Sequence, residues 1–339
     1  MDQYSTRQLY PKDPKDKAIW LDLLARTGLY PEAAADKIVG VFSADRLVAT
    51  GARFLNILKM IAVDPDHRGG IAFNTLMETL LSDAFLAGFG KLFLYTKPES
   101  VRAFHVLGFH PIVQYEDRMT FMERGYPRIE SFLEGLAQKK VAAKNAGAIV
   151  MHANPFTNGH LYLIEQALLS SDVVYVFVLS EDRSVISPET RMRLVDEGIR
   201  HLNREATRVI TLPTADYLVS SATFPSYFTA DAETVTLMQA GVDATLFKQK
   251  IAPALDIRIR FVGEEPYSVA TSLYNRQLAA ILNTNPTLTI IPRKEADGLP
   301  ISASRVRALW QAGKCDELKQ LVPPSTYRYL SETPYSEMS

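Results

Sequence analysis

The sequence holds a single cysteine, Cys315, among its 339 residues. That excludes an intramolecular disulfide and any cysteine-built metal site. It also lacks charge of one sign. Lys and Arg number 37 against 38 Asp and Glu, a formal net charge of −1. Such a balance gives no electrostatic reason to expect nucleic acid or an anionic membrane as partner. No apolar run approaches the ~20 residues that a bilayer span needs, and the opening stretch MDQYSTRQLYPKDPKDKA is too polar for a signal peptide. A cytoplasmic protein is expected, with no internal repeat or low-complexity tract. What is present is an ordinary globular composition, 47% hydrophobic and 22% charged, in a chain long enough for two domains.

One stretch organises the rest: AIVMHANPFTNGHLYLIEQA, from Ala148 to Ala167. Ala148 to Met151 reads as a strand buried on both faces. Asn154-Pro155 breaks it, because proline removes a donor and holds its predecessor extended. Thr157-Asn158-Gly159-His160 follows, and then Leu161, Leu163, Ile164, Ala167 and Leu168 at helical spacing. A hydroxyl and an imidazole thus stand at a helix N-terminus, where unpaired N–H groups and the helix dipole favour an anion. Gly159 lets a phosphate or base lie close to the backbone. His152, one residue past the apolar run, faces either the site or the core.

A second segment, Ile301-Ser302-Ala303-Ser304-Arg305-Val306-Arg307, opens another helix after Pro300. A T/HxGH turn followed far downstream by ISxSxxR resembles the signature of the nucleotidyltransferase superfamily. Together with Tyr217 to Tyr227 (YLVSSATFPSY) and Phe261-Val262-Gly263-Glu264-Glu265-Pro266, these motifs resemble the citrate lyase ligase family along essentially the whole chain.

The region before the organising stretch is strand-rich. Ile19, Trp20, Leu23 and Leu24 form a helical stripe after a short N-terminal extension. Strands are predicted at Ile38–Phe42, Arg46–Phe54, Ile57–Val63 and Lys91–Thr96, with a strand pair over His110 to Met122. Helices are predicted through Leu76, Leu80, Leu81 and Phe85, and over Glu99 to Leu107. The loop Asp64 to Ala72 sits between strand and helix and resembles the coenzyme A pyrophosphate loop of the GNAT acetyltransferases. His67, Gly70 and Ala72 take its three signature positions, with Arg68 between. Two departures matter: His67 replaces the usual glutamine or arginine, and Phe104 stands where a general-acid tyrosine is common. A phenyl ring cannot protonate a thiolate, so a domain that binds a coenzyme-A-like arm without transferring an acetyl group is expected.

Pro127 to Lys144 reads as a linker helix, and beyond Gly147 strands and helices alternate as in a parallel sheet. The predicted strands are Ala148–His152, Val173–Leu179, Arg208–Leu212, Arg258–Val262 and Thr287–Ile291. The expected fold is α/β. Residues 1–126 form a GNAT-like α+β domain, 127–146 a linker helix, and 147–339 a Rossmann-like nucleotidyltransferase domain.

The resemblance implies an acid–thiol ligase that uses ATP, with Mg²⁺ carried by the phosphates. Acetate forms acetyl adenylate, and the acetyl group passes to the coenzyme-A-derived thiol on the acyl carrier subunit of citrate lyase. It implies that His160 stabilises the α-phosphate, assisted by Thr157, and that Ser302, Ser304 and Arg307 hold the leaving phosphates. Arg305 projects elsewhere. Asn154, Pro155, Phe156, Gly159, Gly263 and Glu264 or Glu265 would border the nucleotide. A basic residue, Arg183 or Arg191, is expected near the phosphates, and the sequence does not choose between them. The block of Ser220, Ser221 and Thr223, flanked by Tyr217, Tyr227 and Phe228, reads as the acetate and thiol pocket. The alternative is an adenylyltransferase that joins AMP to a phosphorylated small molecule, since the phosphate motifs would be the same.

Overall fold

In a computed structural model of the protein, residues 4–180, 184–218, 224–265 and 268–335 are described. The chain forms two compact units, one of residues 1–131 with 224–242, the other of 132–223 with 243–339. The contiguous division expected from sequence is therefore corrected in one respect: residues 224–242 pack with the first unit.

The first unit contains β1 (Tyr4–Gln8), α1 (Pro14–Arg26), β2 (Lys37–Ser43), β3 (Arg46–Phe54), β4 (Ile57–Val63), α2 (Ile71–Leu86), β5 (Leu92–Thr96), α3 (Val101–Val106), β6 (His110–Tyr115) and β7 (Met119–Arg124). Among the described residues its sheet has the order β1-β2-β3-β4-β5-β7-β6. Neighbours are antiparallel except β4 and β5, which α2 joins as a parallel crossover. This is an α+β unit, the class that the acetyltransferase resemblance implies, and its sheet is mixed. One apolar face packs Leu76, Met77 and Leu80 of α2 on Val39, Val41 and Leu94. The opposite face buries Trp20, Leu23 and Leu24 of α1. β1 was not foreseen. Its polar YSTRQ is an edge strand with mostly exposed side chains, so alternation of burial gives no signal there.

α4 (Ile129–Ala137) is shorter than the linker helix expected to Lys144. Past Ala137 the sequence QKKVAAK offers no continuing apolar stripe, and Val141 N–H donates instead to the Tyr175 hydroxyl at 2.8 Å.

The second unit carries β8 (Ala146–Met151), α5 (Asn158–Leu168), β9 (Val173–Val178), α6 (Pro188–Ile199), β10 (Val209–Pro213), β11 (Ile257–Gly263) and β12 (Thr287–Ile291). Between β10 and β11 in sequence, α7 (Ala232–Leu246), whose residues as far as Val242 belong to the first unit, runs through a π turn into α8 (Ala252–Leu255), and α9 (Val269–Ile281) joins β11 to β12. A hairpin of β13 (Glu295–Ala296) and β14 (Leu299–Pro300) precedes α10 (Ala303–Gln311) and α11 (Pro324–Glu332). The sheet is parallel, in the order β10-β9-β8-β11-β12. It grows outward from β8 in one direction, then resumes on the other side of β8. Such a reversal opens a crevice at the carboxyl ends of the strands, where α/β sheets bind ligands. The organising stretch leaves β8 at that point.

Candidate active site

α5 begins at an extended Thr157 whose side chain accepts from the His160 N–H at 3.3 Å. His160 Nδ1 in turn accepts from the Thr157 N–H at 3.0 Å. An amide N–H can only donate, so Nδ1 carries no proton and Nε2 is the protonated nitrogen of a neutral ring. Burial, then Arg293 and His152, push the His160 pKa down to about 4. At neutral pH His160 therefore offers an N–H dipole, not a cation. Thr157 is 1% exposed and its hydroxyl lies 2.9 Å from Nδ1. Its geometry makes it the support of His160 rather than the phosphate ligand expected from sequence.

Phe156 is corrected in the same way. It is fully buried, and its ring stacks on the imidazole at 5.7 Å, backing His160 from the core side. Asn154 is buried too, and its Oδ1 has no partner among the described residues. A buried acceptor without a donor is costly, and a ribose hydroxyl or adenine amino group would satisfy it. Ala153 before it has φ of 50°, a left-handed conformation that costs an alanine free energy and turns the chain sharply out of β8.

The second motif meets the first directly. A Cβ on Gly159 would lie 2.9 Å from the Ile301 carbonyl oxygen, so glycine is required for backbone contact between the motifs. Arg307 donates to the Asn154 carbonyl at 2.5 Å and to Ser304 Oγ at 3.2 Å. Ser302 caps α10 by accepting from the Arg305 N–H at 3.1 Å. Arg305 turns away as expected, and donates to the Ala296 carbonyl of the hairpin at 3.1 Å. His160, Asn154, Ser302, Ser304 and Arg307 thus share one edge of the sheet. Two helix N-termini and one guanidinium there suit a polyphosphate.

Gly263 ends β11 with nothing within 4 Å of where a Cβ would stand. The Glu264 side chain is exposed, and its carbonyl accepts from Arg293 Nε at 2.7 Å. Glu265 is ion-paired with Arg293. Arg191 is fully buried; it donates to the carbonyls of Ile186 at 3.1 Å and His152 at 2.8 Å. It braces the edge from inside. Arg183, Ser220, Ser221 and Thr223 lie outside the described residues.

Sequence reasoning missed Arg293, and left His152 open. The Arg293-Lys294 pair comes just after a predicted strand at the carboxyl edge, a signal that was available. His152 hydrogen-bonds Ser184 Oγ at 2.6 Å. Its pKa is lowered to about 4 by burial and by Arg191 and Arg307. It therefore belongs to the site edge.

In the first unit a cleft of about 580 Å³ is lined by Arg68, Gly70, Phe73, Tyr95, Phe104 and Phe228, among others. Of the loop residues expected at the arm, Arg68 and Gly70 line this cleft. His67 instead turns to Tyr4, whose hydroxyl lies 3.1 Å from its Nδ1, and the Ala72 side chain is in the core. Phe104, the ring in place of a proton donor, is part of the wall. Tyr227 and Phe228 stand here, whereas Tyr217 packs on Phe132 in the second unit at 5.0 Å.

The citrate lyase ligase C-terminal domain model matches residues 146–330. The [citrate [pro-3S]-lyase] ligase of Klebsiella pneumoniae is 37% identical over 337 residues, 97% of this chain and 96% of that protein. The ligase of Escherichia coli K12 is 34% identical, covering 91% of this chain and 88% of its own. Among solved structures, the ribosomal-protein-S18-alanine N-acetyltransferase of Escherichia coli aligns with 37% of this chain and 96% of its own, at 16% identity and a TM-score of 0.31. With its second unit matched almost throughout by that domain model and its relatives alike over nearly the whole length, the chain belongs to the citrate lyase ligase family.

Proposed function

We propose that the protein is an ATP-dependent acid–thiol ligase that acetylates the coenzyme-A-derived thiol on the acyl carrier subunit of citrate lyase, and so activates that lyase. Family membership supports the reaction. The observation that carries the site is the joining of the two motifs through the Gly159–Ile301 contact and the Arg307–Asn154 hydrogen bond.

In the first step an acetate oxygen attacks the α-phosphorus of ATP, and the bond to pyrophosphate breaks. Charge builds on the α-phosphate oxygens, and the His160 Nε2–H is the preorganised donor for it. Arg307 and the N-termini of α5 and α10 hold the leaving pyrophosphate. In the second step the carrier's sulfur attacks the acetyl carbon, the bond to AMP breaks, and the thiol proton leaves to solvent. Neither step needs a nucleophilic side chain, so positioning and charge stabilisation do the work. Mg²⁺ would ride on the phosphates and on water, as it commonly does with few protein ligands. The first unit's cleft would hold the carrier's arm, with its pyrophosphate at Arg68 and Gly70. A cytoplasmic location suits an ATP consumer.

The test is incubation with ATP, acetate and the thiol form of the carrier, measuring AMP and acetylated carrier, alongside acetate-dependent exchange of pyrophosphate into ATP. AMP transfer to a phosphorylated small molecule with no need for acetate would overturn the assignment.

A further inference from the structure

The first unit's cleft ends on a side chain that comes from far along the chain. β4 and β5 pair only at Ile57–Phe93 and Leu58–Leu94. Two residues on, Met60 takes a left-handed φ of 52°, and the strands part. Between them the cleft is walled by Ile61 and Val63 on one side and by Tyr95 and Thr96 on the other. Tyr227 fills the point where the strands separate. It is 3% exposed, and its hydroxyl donates to the Tyr95 carbonyl at 3.2 Å. The Met60 amide N–H faces the Tyr227 hydroxyl oxygen from the other strand. Tyr227 thereby bridges β4 and β5 where their own ladder has stopped.

The residue is firmly held. Glu32 accepts from the backbone N–H groups of Ser226 and Tyr227, the latter at 3.0 Å, and from the Ser226 hydroxyl at 2.9 Å. Glu32 is also ion-paired with Lys59, which is 3% exposed. Tyr30 N–H donates to the Tyr227 carbonyl at 2.9 Å. Phe228 stacks beside it, ring centroids 4.4 Å apart, and extends the wall.

We propose that Tyr227 is the floor of the arm-binding cleft and makes it selective for the free thiol over the acetyl thioester. This rests on the arm-binding reading above. Arg68 and Gly70 stand beyond the Val63 end of β4, and Tyr227 stands beside Met60, three residues deeper, or about 10 Å along a strand. An arm whose pyrophosphate lies at the loop threads down between the strands and brings its sulfur to the Tyr227 ring. An acetyl group adds a carbonyl and a methyl beyond that sulfur, where the ring already stands. The cleft therefore accepts the substrate form of the carrier and rejects the product form, so an arm acetylated outside the cleft does not return to it.

Calorimetric titration of the full-length protein with coenzyme A and with acetyl-coenzyme A gives two dissociation constants without turnover. Coenzyme A is expected to bind at least about fivefold tighter, a difference well resolved by titration. Tyr227→Leu, with a smaller floor, should bring the two near parity, while Tyr227→Phe keeps the ring and the wild-type ratio. Equal affinities in the wild type, or binding of neither probe, would overturn the proposal. So would a Leu variant with the wild-type ratio, or a Phe variant that shifts as far as the Leu variant. Should Tyr227→Leu fail to fold, the wild-type ratio decides alone. Loss of acetate-dependent pyrophosphate exchange would strike the adenylation reading instead, to which these titrations are blind.

Discussion

The α-hydrogen face of Gly159 rests on the Ile301 carbonyl: a Cβ there would stand 2.9 Å from that oxygen. The first turn of α5 and the segment entering α10 are thereby set to one separation, with His160 on one and Ser302 to Arg307 on the other. A side chain must push them apart. Gly159→Ala is expected to lower stability by about 1–3 kcal/mol through overpacking and to slow pyrophosphate exchange by up to ~10²-fold through misplacement of the motifs. Gly263→Ala, with open space at its Cβ, is the control for stability and should melt at the wild-type temperature. Thermal melts and exchange rates decide the point, and wild-type exchange in the Gly159→Ala variant would refute it.

His160 is held neutral, and this has a pH signature. Its pKa is about 4 folded against 6.5 unfolded. The unfolded chain therefore takes up the proton first as pH falls. The stability contributed by the neutral ring is complete above 6.5 and is lost between 6.5 and 4, amounting to at most about 3 kcal/mol. His160→Ala should flatten that part of the melting-temperature profile. It should also cut adenylate formation by ~10²–10³, the usual cost of losing one preorganised donor. Parallel profiles for the two proteins would mean that the ring is not buried neutral.

The parts of this fold that were legible in the sequence are those where one residue type has one use. The limits of β3 and β4 follow from their apolar runs, and the strand–turn–helix at Asn154 to His160 from proline, glycine and helical spacing. β1 and the shortened α4 were not legible, because edge polarity and a fading apolar stripe leave no periodicity. At the site, the polar motif residues converge as expected, but the roles of Thr157 and Phe156 needed coordinates. Whether a hydroxyl faces a ligand or a neighbouring imidazole is a matter of rotamer and packing. Residues 224–242 show the same limit on a larger scale, since no local pattern marks a return to the first unit.

Arg307 and Arg305 are two positions apart and do different things. Arg307 points into the site and donates to Asn154 and Ser304. Arg305 donates to Ala296 and lies 3.9 Å from Asp297. Arg307→Ala should raise the KM for ATP and for pyrophosphate together, by about tenfold or more, as expected for a charged hydrogen bond. Arg305→Ala should cost about 1 kcal/mol of stability through the hairpin, with KM little changed. Initial-rate kinetics in both directions test the pair, and the reverse ranking would mean that α10 presents its other face.

Arg191 is the fully buried cation behind this edge, tied to the carbonyls of Ile186 and His152. Arg191→Met should keep the volume but leave those carbonyls short of donors, at about 1–3 kcal/mol for each one left unsatisfied. Urea unfolding measures the loss. A variant as stable as wild type would show that the carbonyls find other donors.

Gly70 separates ligand binding from folding by the sign of two effects. Its φ of −127° is open to any residue, and the nearest atom to a Cβ is the His67 carbonyl oxygen at 3.9 Å. Nothing packs against that position, so Gly70→Ala should lower the melting temperature only slightly, through the poorer helix cap that alanine makes. Gly70 is also the N-cap of α2, where an acidic side chain favours the helix dipole by about 0.3–1 kcal/mol. Gly70→Glu should therefore hold or slightly raise the melting temperature. A pyrophosphate approaching the same N-terminus would meet both the added bulk and a like charge. Coenzyme A affinity and the KM for the carrier should then worsen by about tenfold or more, while the melting temperature does not fall. Unaltered affinity and carrier KM in Gly70→Glu would mean that the loop does not receive the arm and that the first unit serves only as scaffold.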